Sequence, residues 1–211
     1  MTVKVSSTFY SQSLPLTAAA NAKRARAWRD GFTVQSATQA IGLVSVTGIK
    51  AVFSELCVDR DEPRVTFSRD NKPAPELLTV IQAAFQKVAA EDIARSDLRT
   101  RSIPGTLTGY CGYYTADEVK ANKWHTDNWP GVRWTVAWGP PGSTRGAHGL
   151  VSASDVDPGG FLKADLIGRD RRLQEVLYPV GTVIRLYTKG DIHAGPPITG
   201  LRLFMAADLD V

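Results

Sequence analysis

The sequence predicts an α+β fold whose second half is a double-sheet jelly roll, with helices from the first half packed on one face. Two textures point to it. After Pro75, apolar side chains recur at helical spacing for about twenty residues. From residue 103 onward, Gly and Pro cut the chain into short runs rich in β-branched and aromatic residues. The first pattern buries one stripe of a helix, and the second makes the short strands and tight turns of sandwiches and jelly rolls.

In chain order, residues 2–6 read as an edge strand and residues 17–30 as a short helix. The apolar runs IGLVSV (41–46) and IKAVFSELCV (49–58) both read as strands. The clearest helix follows Asn71-Lys72-Pro73-Ala74-Pro75. There Leu78, Ile81, Phe85 and Val88 fall on one face, Pro75 suits the first turn, and the helix is expected to end near Ser96. Beyond it, Pro104-Gly105, Pro130-Gly131, Gly139-Pro140-Pro141-Gly142, Pro158-Gly159-Gly160 and Gly195-Pro196-Pro197 mark turns. The best strand covers 132–138, where Val132, Trp134, Val136 and Trp138 alternate with Arg133, Thr135 and Ala137. Residues 182–187 and 201–206 are further strands. No repeat or linker is apparent, so the reading is one domain over 1–211: support from about 1–103, and a jelly-roll half over about 104–211.

The composition allows an ordinary core. A chain of 211 residues with 43% hydrophobic and 22% charged residues can bury one without disulfides. It has no apolar run of the length that spans a membrane. The N-terminal segment lacks a continuous apolar stretch, so no secretory signal is expected. Cys57 and Cys111 then read as reduced packing thiols in a cytoplasmic protein. The net charge of +4 favours anionic ligands. Lys23, Arg24, Arg26 and Arg29 read as a solvated helix face, and nucleic acid is not the expected partner.

The chemistry lies in the second half. The three histidines are His125, His148 and His193, and the first stands in His125-Thr126-Asp127. Residues two apart in an extended segment project to the same side, so His125 and Asp127 can offer a nitrogen and an oxygen to one ion. His193 follows 68 residues later. Two histidines and one carboxylate on one face of a metal leave open positions, the arrangement of non-haem iron(II) oxygenases. Taken alone, the tripeptide is more simply a turn pair. With His193 and Arg202 in order behind it, metal binding becomes the stronger reading. His148, only 23 residues after His125, is the weaker candidate for third ligand. Arg202 stands nine residues after His193, inside the apolar run Leu201-Arg202-Leu203-Phe204-Met205. A guanidinium there is costly to bury unless an anion meets it, and its planar fork matches a carboxylate.

With WHTDNW, GDIHAG and GLRLF in this order, residues 105–208 resemble the iron(II)/2-oxoglutarate-dependent dioxygenase superfamily. The resemblance implies a double-stranded β-helix, Fe(II) held by His125, Asp127 and His193, and 2-oxoglutarate as cosubstrate with O₂. It assigns the remote carboxylate of 2-oxoglutarate to Arg202, with succinate and CO₂ released as a substrate C–H bond is hydroxylated. Some branches add a Ser or Thr two residues after the arginine. Here that position is Phe204, so a second donor is expected from Tyr114, Tyr110 or Tyr113 on the preceding strand. Arg133 and Arg145 are candidates to meet an anionic substrate, and Trp129 or Trp124 to shape its mouth. The other tryptophans near the motif, Trp134 and Trp138, read as core. The substrate expected is a small polar metabolite, amino-acid-like or carboxylate-bearing. The alternatives are a nucleic-acid- or protein-modifying dioxygenase of the same superfamily and a non-enzymatic jelly-roll binding module.

Overall fold

The computed structural model describes residues 3–9, 34–36, 38–55, 64–68, 76–96, 107–114, 123–127, 131–139, 145–157, 161–162, 173–188, 190–195 and 200–210. The strands are β1 (Lys4–Phe9), β2 (Val34–Ser36), β3 (Gln39–Thr47), β4 (Arg64–Ser68), β5 (Leu107–Tyr114), β6 (Gly131–Trp138), β7 (Arg145–Val151), β8 (Leu173–Leu177), β9 (Thr182–Tyr187), β10 (His193–Ala194) and β11 (Gly200–Asp210). A seven-stranded sheet runs β1-β3-β9-β6-β11-β5-β4, and a smaller sheet runs β10-β7-β2 with β8 beside β7. All of the strand pairs are antiparallel. The fold is therefore sheet-rich and jelly-roll-like, as the punctuated second half predicts.

The long helix Glu76–Arg95 forms where the apolar stripe places it. Leu78, Ile81, Phe85 and Val88 are buried, and they share one core with Ile41, Val44, Val132, Trp134, Val136, Trp138, Val183, Leu203 and Met205. Burying a side chain of this size contributes roughly 1.5–3 kcal/mol, so the four stripe residues alone anchor the helix strongly. Alternation then fixes what faces the other way. On β9, Val183 and Tyr187 join the helix-side core, whereas Ile184 and Leu186 meet Tyr178 and Val176 beside the small sheet. By the same period, Arg133, Thr135 and Ala137 of β6 and Arg202, Phe204, Ala206 and Asp208 of β11 face the space between the sheets.

One expectation changes. The run 49–58 reads as a strand, but residues Ile49–Glu55 form a helix. Gly48 takes φ 87°, which ends β3, and the Ala51 N–H donates to the Gly48 carbonyl at 2.8 Å. Ile49, Val52 and Phe53 then sit at spacings of three and four against the core, so the short apolar run carried a helical period as well as a strand-like composition. Strands from both sides of residue 103 join in each sheet. β1, β3 and β4 extend the large sheet, and β2 extends the small one. The predicted helix at 17–30, the basic segment from Lys23 to Arg29, and Cys57 lie outside the described residues.

Candidate metal centre

His125 enters the site through backbone. It forms a two-way bridge with His193, each N–H donating to the other's carbonyl at 3.0 Å. The two imidazoles are thereby held side by side, with ring centroids 4.4 Å apart. Two residues on, the Asp127 N–H donates to the Thr188 carbonyl at 2.7 Å, which ties the segment to the end of β9. Thr126 between them is buried, so His125 and Asp127 project to the opposite side from it. Ligand atoms of His125, Asp127 and His193 all lie within 4.8 Å of one another. Among the described residues this is the group of ligating side chains with metal-site geometry.

The histidine tautomers follow from their neighbours. The Nδ1 of His125 lies 2.8 Å from the Lys123 carbonyl, and the Nδ1 of His193 lies 3.2 Å from the Asp191 carbonyl. A carbonyl only accepts, so each Nδ1 carries the proton and each Nε2 keeps its lone pair for an ion. Burial lowers the pKa of His193 to about 4, with His125 and Arg133 pushing the same way and Asp127 opposing them. His193 is therefore neutral at pH 7, the form that ligates. Its Nε2 stands 3.8 Å from Asp127 Oδ2. Two imidazole nitrogens and a carboxylate form a donor set that fits an iron(II)-type ion.

Among the described residues, Arg133 bonds the carboxylates of Asp127 and Asp208. Its NH1 donates to Asp127 Oδ2 at 3.0 Å, while Nε and NH2 grip both oxygens of Asp208 at 2.6 and 2.9 Å. The residue expected to meet substrate is thus joined to a proposed metal ligand six residues before it and to Asp208 75 residues after it, and the second link has no sequence signal. Arg145 holds the Gly195 carbonyl at 2.9 Å and Glu175 at 3.4 Å, and its guanidinium lies 5.0 Å from the Trp124 ring, next to His125. Trp129 is outside the described residues.

Arg202 is buried on the interior face of β11, three alternations from Asp208, with its guanidinium 5.3 Å from the Phe204 ring. The register sets Gly112 opposite Arg202, Tyr110 opposite Phe204, Tyr114 opposite Gly200 and Tyr113 opposite Leu201. Directly opposed residues share a face, so the register puts positions 110 and 114 on the face of Arg202 and position 113 on the other. β10 belongs to the small sheet and β11 to the large one, so the chain changes sheet between Ala194 and Gly200. His148 occupies β7 in register with Gln174.

One glycine is required beside the site. Gly146 of β7 pairs with His193, and a Cβ there would stand 1.8 Å from Thr38 Oγ1. Thr38 is buried and shares a 2.8 Å hydrogen bond with the Tyr178 hydroxyl. The bare backbone of Gly146 thus lets this polar pair sit against the strand that supports His193.

No protein-family model and no curated protein matches the chain. It is similar to solved structures. One is a Pseudomonas putida prolyl-4-hydroxylase, at 11% identity and a TM-score of 0.40, covering 90% of this chain and 99% of that one. Another is the Fe(II)/(alpha)ketoglutarate-dependent dioxygenase TqaL, at 11% identity and a TM-score of 0.37, covering 97% and 82%. A third is EvdO2 from Micromonospora carbonacea var. aurantiaca, at 14% identity and a TM-score of 0.38, covering 99% and 88%. Likeness this distant assigns no activity to the chain, and the residues of the site carry the functional reading.

Proposed function

We propose that this chain is a mononuclear non-haem iron(II) enzyme that uses 2-oxoglutarate and O₂ to hydroxylate an unactivated C–H bond of a small polar metabolite. The observation that carries the reading is the convergence of His125, Asp127 and His193 within 4.8 Å, with both Nδ1 atoms facing backbone carbonyls. Iron bound there with 2-oxoglutarate and O₂ would supply the oxidising power, releasing succinate and CO₂.

The chain's own residues divide the remaining work. His125 and His193 offer Nε2, and Asp127 offers one carboxylate oxygen, so three protein ligands leave positions for cosubstrate. Arg202 meets the remote carboxylate of 2-oxoglutarate from the interior face of β11, and Tyr114 or Tyr110 adds a second donor. On the substrate side, Arg145 against Trp124 offers a cation beside an aromatic wall, which suits an amino-acid-like or carboxylate-bearing molecule, and Trp129 stays a substrate-side candidate on its sequence position alone. Because Asp127 fills the coordination position that related halogenases leave open, an oxygen-derived product is expected rather than a chlorinated one. We place the enzyme in the cytoplasm on the reduced-thiol reading of Cys57 and Cys111. No described helix is long and apolar enough to cross a membrane.

The test is succinate release from labelled 2-oxoglutarate with Fe(II), screened against small polar metabolites, with mass spectrometry for a gain of one oxygen atom. Stimulated turnover with a metabolite supports the reading. Coupling only to an oligonucleotide or an intact protein overturns the substrate class, and iron-independent inertness toward 2-oxoglutarate overturns the activity.

A further inference from the structure

We propose that Arg133 and Asp208 form a charge-balanced clamp that positions the Asp127 carboxylate for a divalent ion, making Arg133 a positioning residue of the metal centre. The inference rests on the metal-site reading above and deepens it. Three distances carry it. Arg133 NH1 is 3.0 Å from Asp127 Oδ2, and its Nε and NH2 are 2.6 and 2.9 Å from the two oxygens of Asp208.

The geometry divides the guanidinium into two jobs. Two-point contact with Asp208 fixes the plane of the fork, since both oxygens and two nitrogens are used. That leaves NH1 aimed at Asp127, whose backbone N–H is already held by Thr188. Main chain and carboxylate of Asp127 are both anchored, so its rotamer is set before any ion arrives. A cation alone beside a dication site would repel the ion and weaken it. Asp208 offsets that charge, and the orienting hydrogen bond is what remains. All three side chains are only partly exposed, at 23% for Arg133, 16% for Asp127 and 30% for Asp208, so solvent screens the triad incompletely. Arg133 and Asp208 are also directly opposed on β6 and β11, so the sheet register itself holds the clamp.

The experiment is Co(II) titration of the full-length metal-free chain, read by the visible d–d band, together with thermal unfolding of the same samples. Arg133→Met/Asp208→Asn removes one charge of each sign and leaves the three proposed ligands untouched. It should bind Co(II) roughly ten- to a hundredfold more weakly, the usual consequence of losing a partner of a metal ligand, while the metal-free melting temperature changes little. Asp208→Asn alone should also weaken Co(II), because Arg133 then faces the dication uncompensated, and that loss should shrink as salt is added. Arg133→Lys should fall between, since an ammonium keeps the charge but not the fork. The clamp is overturned if the double variant binds Co(II) within about twofold of the unaltered chain, or if Asp208→Asn binds it as tightly or more so. Should the double variant fail to fold, Asp208→Asn and Arg133→Lys decide between the same outcomes. If the folded, unaltered chain binds no Co(II), the metal reading itself fails and takes the clamp with it, a result distinct from a loss confined to the variants.

Discussion

The large sheet carries an arginine–aspartate pair on each of its faces, and the two pairs differ in what they leave over. On the helix side, Arg185 NH1 reaches both oxygens of Asp92 at 2.8 and 2.9 Å, and Trp134 Nε1 donates to Asp92 Oδ2 at 2.8 Å. Both side chains are nearly sealed, at 1% and 7% exposure. On the inner side, Arg133 joins Asp127 and Asp208 with part of each in solvent. The outer carboxylate spends its oxygens on an arginine and an indole, and it can do nothing but hold the long helix to β6 and β9. Its inner counterpart, Asp127, keeps bonding capacity facing two histidines. The same pair of residue types thus builds an internal tie in one place and a proposed ligand in the other, and the deciding factor is which neighbours the sheet face supplies.

Breaking each pair should therefore have different consequences. The largest is expected at the ligands themselves. Asp127→Ala and His193→Ala should each abolish iron-dependent turnover and Co(II) binding while the metal-free protein still unfolds cooperatively, and His148→Ala should retain the metal. Loss of metal in His148→Ala with retention in His193→Ala would reverse the ligand assignment.

On the outer face the expected effect is on stability. Asp92→Ala leaves a buried guanidinium uncompensated, and breaking a buried pair from one side costs roughly 3–5 kcal/mol, to be read by urea unfolding. Replacing both partners with apolar residues, as in Asp92→Leu/Arg185→Met, should recover much of that loss. A single variant as stable as the parent would show that the tie is dispensable.

Arg202→Ala sharpens the comparison from within the inner face. It should keep Co(II) and lose 2-oxoglutarate affinity by about 1.5–3 kcal/mol, roughly ten- to a hundredfold, as expected for a charge-assisted hydrogen bond. Calorimetry with the metal-loaded protein measures it, and unchanged affinity would remove Arg202 from the cosubstrate site. The smallest effect is expected at Trp138, whose Nε1 donates to the Val44 carbonyl at 2.9 Å between β6 and β3. Trp138→Phe should cost about 1 kcal/mol of stability, the net worth of one such bond plus a little packing, and leave metal binding alone.

Local sequence determined a good deal of this protein. The three-and-four spacing of Leu78, Ile81, Phe85 and Val88 placed a helix and chose its buried face, because helical period depends only on neighbours along the chain. The alternation from Val132 to Trp138 did the same for β6, and His-Thr-Asp put two candidate ligands on one side of an extended segment. His193 was legible as the third candidate ligand from its order between His125-Thr126-Asp127 and Arg202, but its contact with His125 was not. Period two could not say which face of β6 looks toward the helix. In the folded chain Trp134 and Trp138 lie under the helix, so Arg133 turns inward with Arg202 and Asp208. The run 49–58 was misread because strand-like composition and helical spacing coincide in a short segment, and only packing of Val52 and Phe53 against the core separates them. Tertiary structure alone decided the pairing of His125 with His193, the 75-residue reach from Arg133 to Asp208, and the membership of β1 to β4 in the two sheets. The reason is physical: side-chain period is a property of the local backbone, whereas register between distant strands is settled by which faces can be buried together, and that is not written in any one segment.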